Sequence, residues 1–182
     1  MKIGLDLDDT IINTKEKLKI YWKEYYNKYP NKDYTEELPY NINFFGYKYI
    51  EDFWNMYREE LFYSDIKENA SYIINKLQKE GHFIGLITSR PKEKYKDLII
   101  RIEKFLNNNN IYLDEINTNI KNKSIFMNNS DYDLLIDDSI IHVTETLKIG
   151  KKAILFNKYN KKDIKHTTNW KYLYKIIKEY HN

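Results

Sequence analysis

The sequence predicts an α/β fold, a Rossmann-like parallel sheet flanked by helices, with a small helical insertion. Three observations predict it. Short apolar runs alternate with amphipathic segments along the chain, the pattern of strand–helix–strand units whose strands run parallel. Three of those runs end in acid or hydroxyl residues, at Asp6, Thr88 and Asp137, where open sheets carry their ligand chemistry. One stretch, residues 15–68, breaks the alternation and is dense in aromatic rings, so the chain divides into a core (1–14 and 69–182) and an insertion (15–68).

The elements follow in order. Lys2–Asp6 is an apolar run ending in carboxylates and reads as a buried strand. Lys15–Tyr29 has helical periodicity and stops at Pro30. Residues 34–47 are irregular, broken by Pro39 and Gly46, and Ile50–Phe62 is helical again. Ala70–Glu80 lines Ile73, Ile74 and Leu77 on one face and ends at Gly81. His82–Thr88 is a second strand. Pro91 suits the first turn of a helix opened by Arg90-Pro91 and running through Leu98, Ile102 and Phe105 to the loop-like Asn107–Asn110 run. Glu115–Thr118 is a weak strand, Lys123–Asn128 a short helix, and Asp133–Asp137 a strand ending in acids. Asp138–Leu147 is helical up to Gly150, Lys152–Phe156 is a fifth strand, and Thr168–Tyr180 is a closing helix.

Composition narrows the function. The 182 residues contain no cysteine, which excludes disulfides, thiolate metal sites and a cysteine nucleophile, and fits a reducing, cytoplasmic setting. The N-terminal run is too short and acidic for a signal peptide, and no stretch approaches the ~20 apolar residues of a membrane span. The net charge is +3, but the lysines are scattered, densest at Lys151, Lys152, Lys158, Lys161 and Lys162. That is a solvated surface and not the clustered face of a nucleic-acid binder, so neither a nucleic-acid polymer nor a membrane is an expected partner.

The strand ends bring Asp6, Asp8, Asp9 and Thr10, then Thr88, Ser89 and Arg90, then Asp137 and Asp138, toward one rim. Two unit charges ~4 Å apart at an effective dielectric near 20 repel by roughly 4 kcal/mol. Some of these groups must therefore stay protonated, or a cation must sit among them. All-oxygen donors without His or Cys point to a hard ion, Mg2+ first, and Mg2+ held by a few carboxylates commonly completes its shell with a substrate phosphate.

At this point the sequence resembles a family. Asp6-Leu7-Asp8-Asp9-Thr10 is similar to the DxDxT signature of the haloacid dehalogenase-like phosphatases, and Thr88, Lys123 and Asp137-Asp138 follow in the order of that family's later motifs. The resemblance implies Asp6 as a nucleophile forming an aspartyl-phosphate and as a metal ligand. It implies Asp8 as general acid and then base, its main-chain carbonyl also on Mg2+. It implies the hydroxyl and amides at Thr88 and Ser89 around the phosphate, Lys123 as charge neutraliser, and one or both of Asp137 and Asp138 on the metal. The insertion falls where the family carries small helical caps. Within the family, the Ile-Thr-Ser-Arg-Pro segment, the Leu-Leu-Ile-Asp-Asp ending and the aromatic cap resemble the 5'(3')-deoxyribonucleotidase-like branch. That implies a nucleoside monophosphate as the small-molecule substrate, with Phe44, Phe45 and Trp54 as rings able to stack on a base.

Each residue also has a plainer reading. Asp and Ser cap helices, so Asp8, Asp9, Ser89, Asp137 and Asp138 could serve turns. Lys121 competes with Lys123, Arg90 could bind phosphate or base or be a rim charge, and most of the rings must pack against one another. His82, His142, His166 and His181 show no ligand spacing. Two other functions stay open: a phosphatase of sugar phosphates or other small metabolites, and a non-catalytic binding module on the same fold.

Overall fold

Four strands form where branched and apolar residues run together, β1 (Lys2–Leu5), β2 (Phe83–Ile87), β4 (Leu134–Asp137) and β5 (Lys152–Leu155), and the short, more polar β3 (Glu115–Asn117) pairs with β2. The computed structural model describes residues 1–30, 45–159 and 162–180. The sheet order is β3-β2-β1-β4-β5, and every pairing is parallel. The chain builds outward from β1 through β2 to β3, then returns to the other side of β1 for β4 and β5. That reversal opens a crevice between β1 and β4 beyond their carboxyl ends.

The helices are α1 (Thr14–Lys28), α2 (Tyr47–Phe62), α3 (Ala70–Lys79), α4 (Leu98–Asn108), α5 (Lys123–Asn128), α6 (Ile140–Lys148) and α7 (Trp170–Glu179). On one face of the sheet, Met127 of α5 and Val143 of α6 bury themselves against Ile87, Leu135, Ala153 and Leu155. Helices α3 and α7 pack on each other, and α3 also packs on β2. Each is amphipathic, with Ile73, Ile74 and Leu77 buried on α3 and Leu173, Ile176 and Ile177 on α7.

Two glycines shape the face under α5. Gly4 and Gly85 are direct partners in adjacent strands. A Cβ on Gly85 would collide with the ring and hydroxyl of Tyr132, and one on Gly4 would collide with Ile87. Their missing side chains make a slot in which Tyr132 lies buried, its hydroxyl donating to Glu115 at 3.0 Å.

The chain divides into two compact units, Met1–Ile12 with Ile66–Asn182, and Asn13–Asp65. In the second, α1 and α2 share a core of Leu18, Trp22, Tyr25, Phe45, Ile50, Phe53, Tyr57 and Leu61. Trp22 meets Phe45 and Phe53 edge to face, at centroid distances of 4.8 and 5.1 Å.

The segment after β2 corrects the sequence reading. No helix opens at Arg90-Pro91. Pro91 is extended (φ −79°, ψ 130°), Lys92–Lys94 forms one 3₁₀ turn, and α4 begins only at Leu98, after Asp97 in the left-handed region (φ 51°). The apolar set that drives α4 is Leu98, Ile102 and Leu106, one residue per turn; residues 92–97 have no such stripe to bury. Asn107 and Asn108 belong to α4 and not to a loop.

Candidate active site

Beyond Leu5 the chain makes a tight loop. The amides of Ile11 and Ile12 both donate to the Leu7 carbonyl, at 3.0 and 3.1 Å, and Asp9 takes a left-handed backbone (φ 59°) that Asp tolerates better than most residues. The Thr10 carbonyl accepts the Trp170 indole N–H at 3.2 Å, tying the loop to α7. The Asp6 amide donates to Ile136 of β4 at 2.9 Å, so Asp6 and Asp137 leave neighbouring strands at the same level, at the crevice.

Lys123 joins them. It is the first residue of α5, where Asn122 caps the helix by accepting from the Ile125 amide at 3.0 Å. Its side chain is 1% exposed, and its ammonium donates to Asp6 Oδ1 and to Asp137 Oδ2, the latter at 2.6 Å. Lys121, two residues away, is exposed. A lysine in the first turn of a helix opposes the helix dipole, so local preference does not explain it.

Asp137 is bonded on several sides. It accepts from Lys123 and from the Ser139 amide at 2.8 Å, and His142 Nδ1 lies 3.2 Å from its Oδ2. The Ser139 bond is the turn-forming role expected of a plain structural Asp, but the other two are not. Asp138 is half-buried, and its carbonyl accepts from Asn157 Nδ2 at 3.0 Å.

These contacts set the charge states. Burial pushes the Asp6 carboxyl well above the usual carboxylate range; Lys123 opposes that, while Asp137, Asp8 and Asp138 reinforce it. Burial likewise opposes ionisation of Asp137, but its bond with His142 and the Lys123 charge outweigh burial and hold it below the usual range. Burial disfavours charged Lys123, yet Asp6 and Asp137 together raise its pKa. One ammonium thus serves two carboxylates.

The end of β2 supplies the third part. The Thr88 amide is committed to the Asn117 carbonyl at 2.9 Å, so it cannot cradle a phosphate as the resemblance implies. The buried Thr88 hydroxyl accepts from the Arg90 amide at 3.3 Å and keeps its own O–H to donate. Ser89 is exposed. Arg90 is not a rim charge: it is 8% exposed, and its Nε and Nη2 donate to the two oxygens of Asp8 at 2.9 and 2.7 Å.

A metal ion has donors of the right chemistry here. Asp6, Asp8, Asp137 and Asp138 bring four carboxylates against the two cations Lys123 and Arg90, leaving a surplus of two formal negative charges that a hard divalent ion would neutralise. Among the described residues, however, no group of three or more His, Cys, Asp or Glu is arranged to hold an ion, since Lys123 stands between Asp6 and Asp137.

Sequence reasoning missed His142, the turn after Asp137 being its only trace. Of the aromatic candidates, Phe44 lies outside the described residues, Phe45 is 2% exposed in the core of its own unit, and Trp54 is half-buried beside Phe53. No helix among the described residues is long and apolar enough to cross a membrane.

No protein-family model matches the chain. A candidate nucleotidase of Bacillus cereus is 31% identical over a stretch covering 51% of this chain and 52% of that protein. The chain therefore spans about half the length of that curated relative. Among solved structures, a predicted phosphatase from Clostridium acetobutylicum superposes with a TM-score of 0.72 at 16% identity, over 98% of both chains. A haloacid dehalogenase-like family hydrolase from Streptococcus pneumoniae superposes with a TM-score of 0.67 at 9% identity, over 97% of both. At such identities the likeness is one of fold, and the fold is the haloacid dehalogenase-like one that the DLDDT segment implied.

Proposed function

We propose that this chain, folded like the haloacid dehalogenase-like phosphatases, is a Mg2+-dependent phosphomonoester hydrolase working through an aspartyl-phosphate on Asp6, with nucleoside monophosphates as its substrates. The observation that carries the reading is the buried Lys123 ammonium shared by Asp6 and Asp137 beyond the ends of β1 and β4. Well-packed apolar residues would hold the sheet together as well as or better than a buried charge cluster. Such a cluster at a topological switch point therefore suggests chemistry.

In the first step an Asp6 carboxylate oxygen attacks the phosphorus of the ester. The bond from phosphorus to the leaving oxygen breaks as Asp8 gives that oxygen its proton. In the second step Asp8, now a carboxylate, takes a proton from water as the water oxygen attacks the same phosphorus. The bond to Asp6 breaks and inorganic phosphate leaves. Lys123 favours the ionised form of Asp6 against the effect of burial and has a third N–H to offer a phosphoryl oxygen. The Thr88 hydroxyl and the Ser89 amide and hydroxyl hold the remaining oxygens. Mg2+, carried by Asp6, the Asp8 carbonyl and Asp137 or Asp138, would supply charge neutralisation at the phosphoryl group.

The nucleotide preference has two supports. The relative from Bacillus cereus is described as a candidate nucleotidase, and beside its buried aromatic core the insertion carries partly buried rings, Trp54 among them, of the kind that stacks on a base. The test is a panel of nucleoside monophosphates, sugar phosphates and aryl phosphates assayed with Mg2+ and with EDTA, plus mass analysis of acid-quenched enzyme for one phosphoryl group on Asp6. Hydrolysis led by nucleotides, with the adduct on Asp6, is expected. Silence on every ester would overturn the enzymatic reading, and a lead for sugar phosphates would overturn the substrate.

A further inference from the structure

We propose that Arg90 is a positioning residue that fixes the Asp8 carboxyl group in one orientation toward the leaving-group oxygen. The inference rests on the phosphomonoesterase reading and gives Arg90, which lies outside the DxDxT segment, a role toward Asp8.

The geometry is a two-point clamp. A guanidinium is a planar fork, and Arg90 uses two of its teeth, Nε and Nη2, on the two Asp8 oxygens. Such a pair removes rotation about the carboxylate axis, which one hydrogen bond would leave. The clamp is itself anchored. The Arg90 amide donates to the Thr88 hydroxyl at 3.3 Å, its carbonyl accepts from the Asn119 amide at 3.0 Å, and Pro91 restricts its backbone to extended conformations. Burial keeps the guanidinium out of water, where it would exchange partners freely.

Asp8 needs such help. It sits in the loop after β1, where the left-handed Asp9 follows, and not on a strand that would aim it. Its side chain is 34% exposed, so one flank rests on Arg90 while another meets solvent. A general acid must meet its target within hydrogen-bond reach, and a misplacement of ~1 Å can lower a rate by about 100-fold. Strand β2, the immediate neighbour of β1, thus orients the acid that β1 delivers.

The experiment compares Arg90→Lys and Arg90→Met with the parent enzyme on a nucleoside monophosphate and on an activated aryl phosphate, following the burst of aryl alcohol as the first chemical step. The nucleoside alkoxide must be protonated as it leaves, and the aryl oxide need not be. Both variants should lose about 100-fold in kcat on the nucleotide with KM within about threefold, while the aryl burst rate falls less than about threefold. Arg90→Lys keeps the charge, so its failure to rescue would assign the effect to the fork. Adding Asp8→Asn to Arg90→Lys should bring no loss beyond that of Asp8→Asn alone. Equal losses on both esters, a rise in KM with kcat intact, or additive losses in the double variant would each overturn the proposal. If Arg90→Met melts too low to assay, Arg90→Lys and the double variant carry the test. A parent enzyme that forms no phosphoenzyme on either ester would instead overturn the underlying phosphatase reading.

Discussion

The two compact units bury opposite kinds of side chain. In the core unit, ionisable groups are taken out of water and paired: Lys123 with Asp6 and Asp137, and the buried Arg90 with the partly exposed Asp8. In the insertion, Trp22, Tyr25, Phe45, Phe53 and Tyr57 are rings packed against rings. The difference decides how much function each unit reveals. Burying an ammonium needs a reason beyond stability, because the desolvation penalty matches or exceeds the attraction recovered. Burying a tryptophan against two phenylalanines needs none, since the area removed from water is reason enough. The core's chemistry stands out against what packing requires, and the insertion's chemistry is hidden within it.

The sharpest way to break that contrast is Asp6→Asn. Activity should fall by at least about 10⁴-fold on every ester, the scale at which removal of a nucleophile is felt, and no phosphoenzyme should form. Stability should move the other way in EDTA. Burial raises the folded pKa of Asp6, so the folded protein holds that proton more tightly than the unfolded chain does. Stability contributed by Asp6 therefore falls as pH rises from the unfolded value through the folded one and stays low above it. Asp6→Asn should raise the melting temperature at pH 7, with the gain shrinking toward pH 4. A lower melting temperature at pH 7 would mean that the Asp6–Lys123 pair stabilises the fold and is no sign of function.

Lys123→Met comes next. It leaves Asp137 and Asp6 facing each other without their cation, and losing one partner of a buried pair typically costs about 3–5 kcal/mol. The loss should be largest at neutral pH, and lower pH should restore part of it as Asp6 takes up a proton. Turnover should drop with it, while Lys121→Met changes neither. If the two lysine variants behave alike, the buried ammonium is not what neutralises the site.

These two lysines also show where the sequence was legible. The strands were readable because a parallel sheet buries both faces and writes itself as unbroken apolar runs such as LLID and FIGLI. The acids at the strand ends were readable because position after such a run is itself a signal. Choosing Lys123 over Lys121 needed the cap at Asn122, which fixes the start of α5 and points one lysine inward. The Arg90-Pro91 segment misled because Pro91 suits a first helical turn on local grounds, whereas the ties of Arg90 to Asp8 and Asn119 hold it extended. His142 was missed because its link to Asp137 spans a turn whose shape no spacing rule predicts. Phe44 lies outside the described residues, and residues 15–68 predicted helices without predicting which rings face one another.

Metal binding tests the core from another side. If a divalent ion neutralises the surplus carboxylates, Mg2+ at about 100 times its dissociation constant should add roughly 2.7 kcal/mol to the stability of the parent protein. The shift should vanish in a variant with Asp137→Asn and Asp138→Asn combined. An EDTA-treated sample that melts at the same temperature with and without millimolar Mg2+ would leave the counter-charges to side chains such as Lys123 and Arg90 and remove the metal from the reading.

The smallest expected effect lies in the insertion, and it asks whether that unit has chemistry hidden behind its packing. Phe45 and Trp54 make a matched pair for the question. Phe45 is buried and meets Trp22 edge to face at 4.8 Å, so shortening it opens a cavity in an aromatic core. Phe45→Ala should lower stability by about 3–5 kcal/mol and leave the relative rates on different esters unchanged. Trp54 is half-buried and touches Phe53 at one edge, so less of its ring is committed to the core. Trp54→Leu should therefore cost under about 1.5 kcal/mol of stability, in the range of tolerated apolar exchanges. If its indole stacks on a base, the loss of about 1–3 kcal/mol in stacking becomes a fall of roughly 5- to 150-fold in kcat/KM for nucleoside monophosphates. An aryl phosphate and a sugar phosphate, which offer no purine or pyrimidine face, should keep their rates. The ratio of nucleotide to sugar phosphate hydrolysis is the quantity to measure, because a general loss of folded enzyme cancels from it. A ratio that stays constant in Trp54→Leu while falling in Phe45→Ala would reverse the assignment of packing and recognition between the two rings. A ratio constant in both would leave the insertion purely structural, and nucleotide preference would then have to arise from side chains of the core unit.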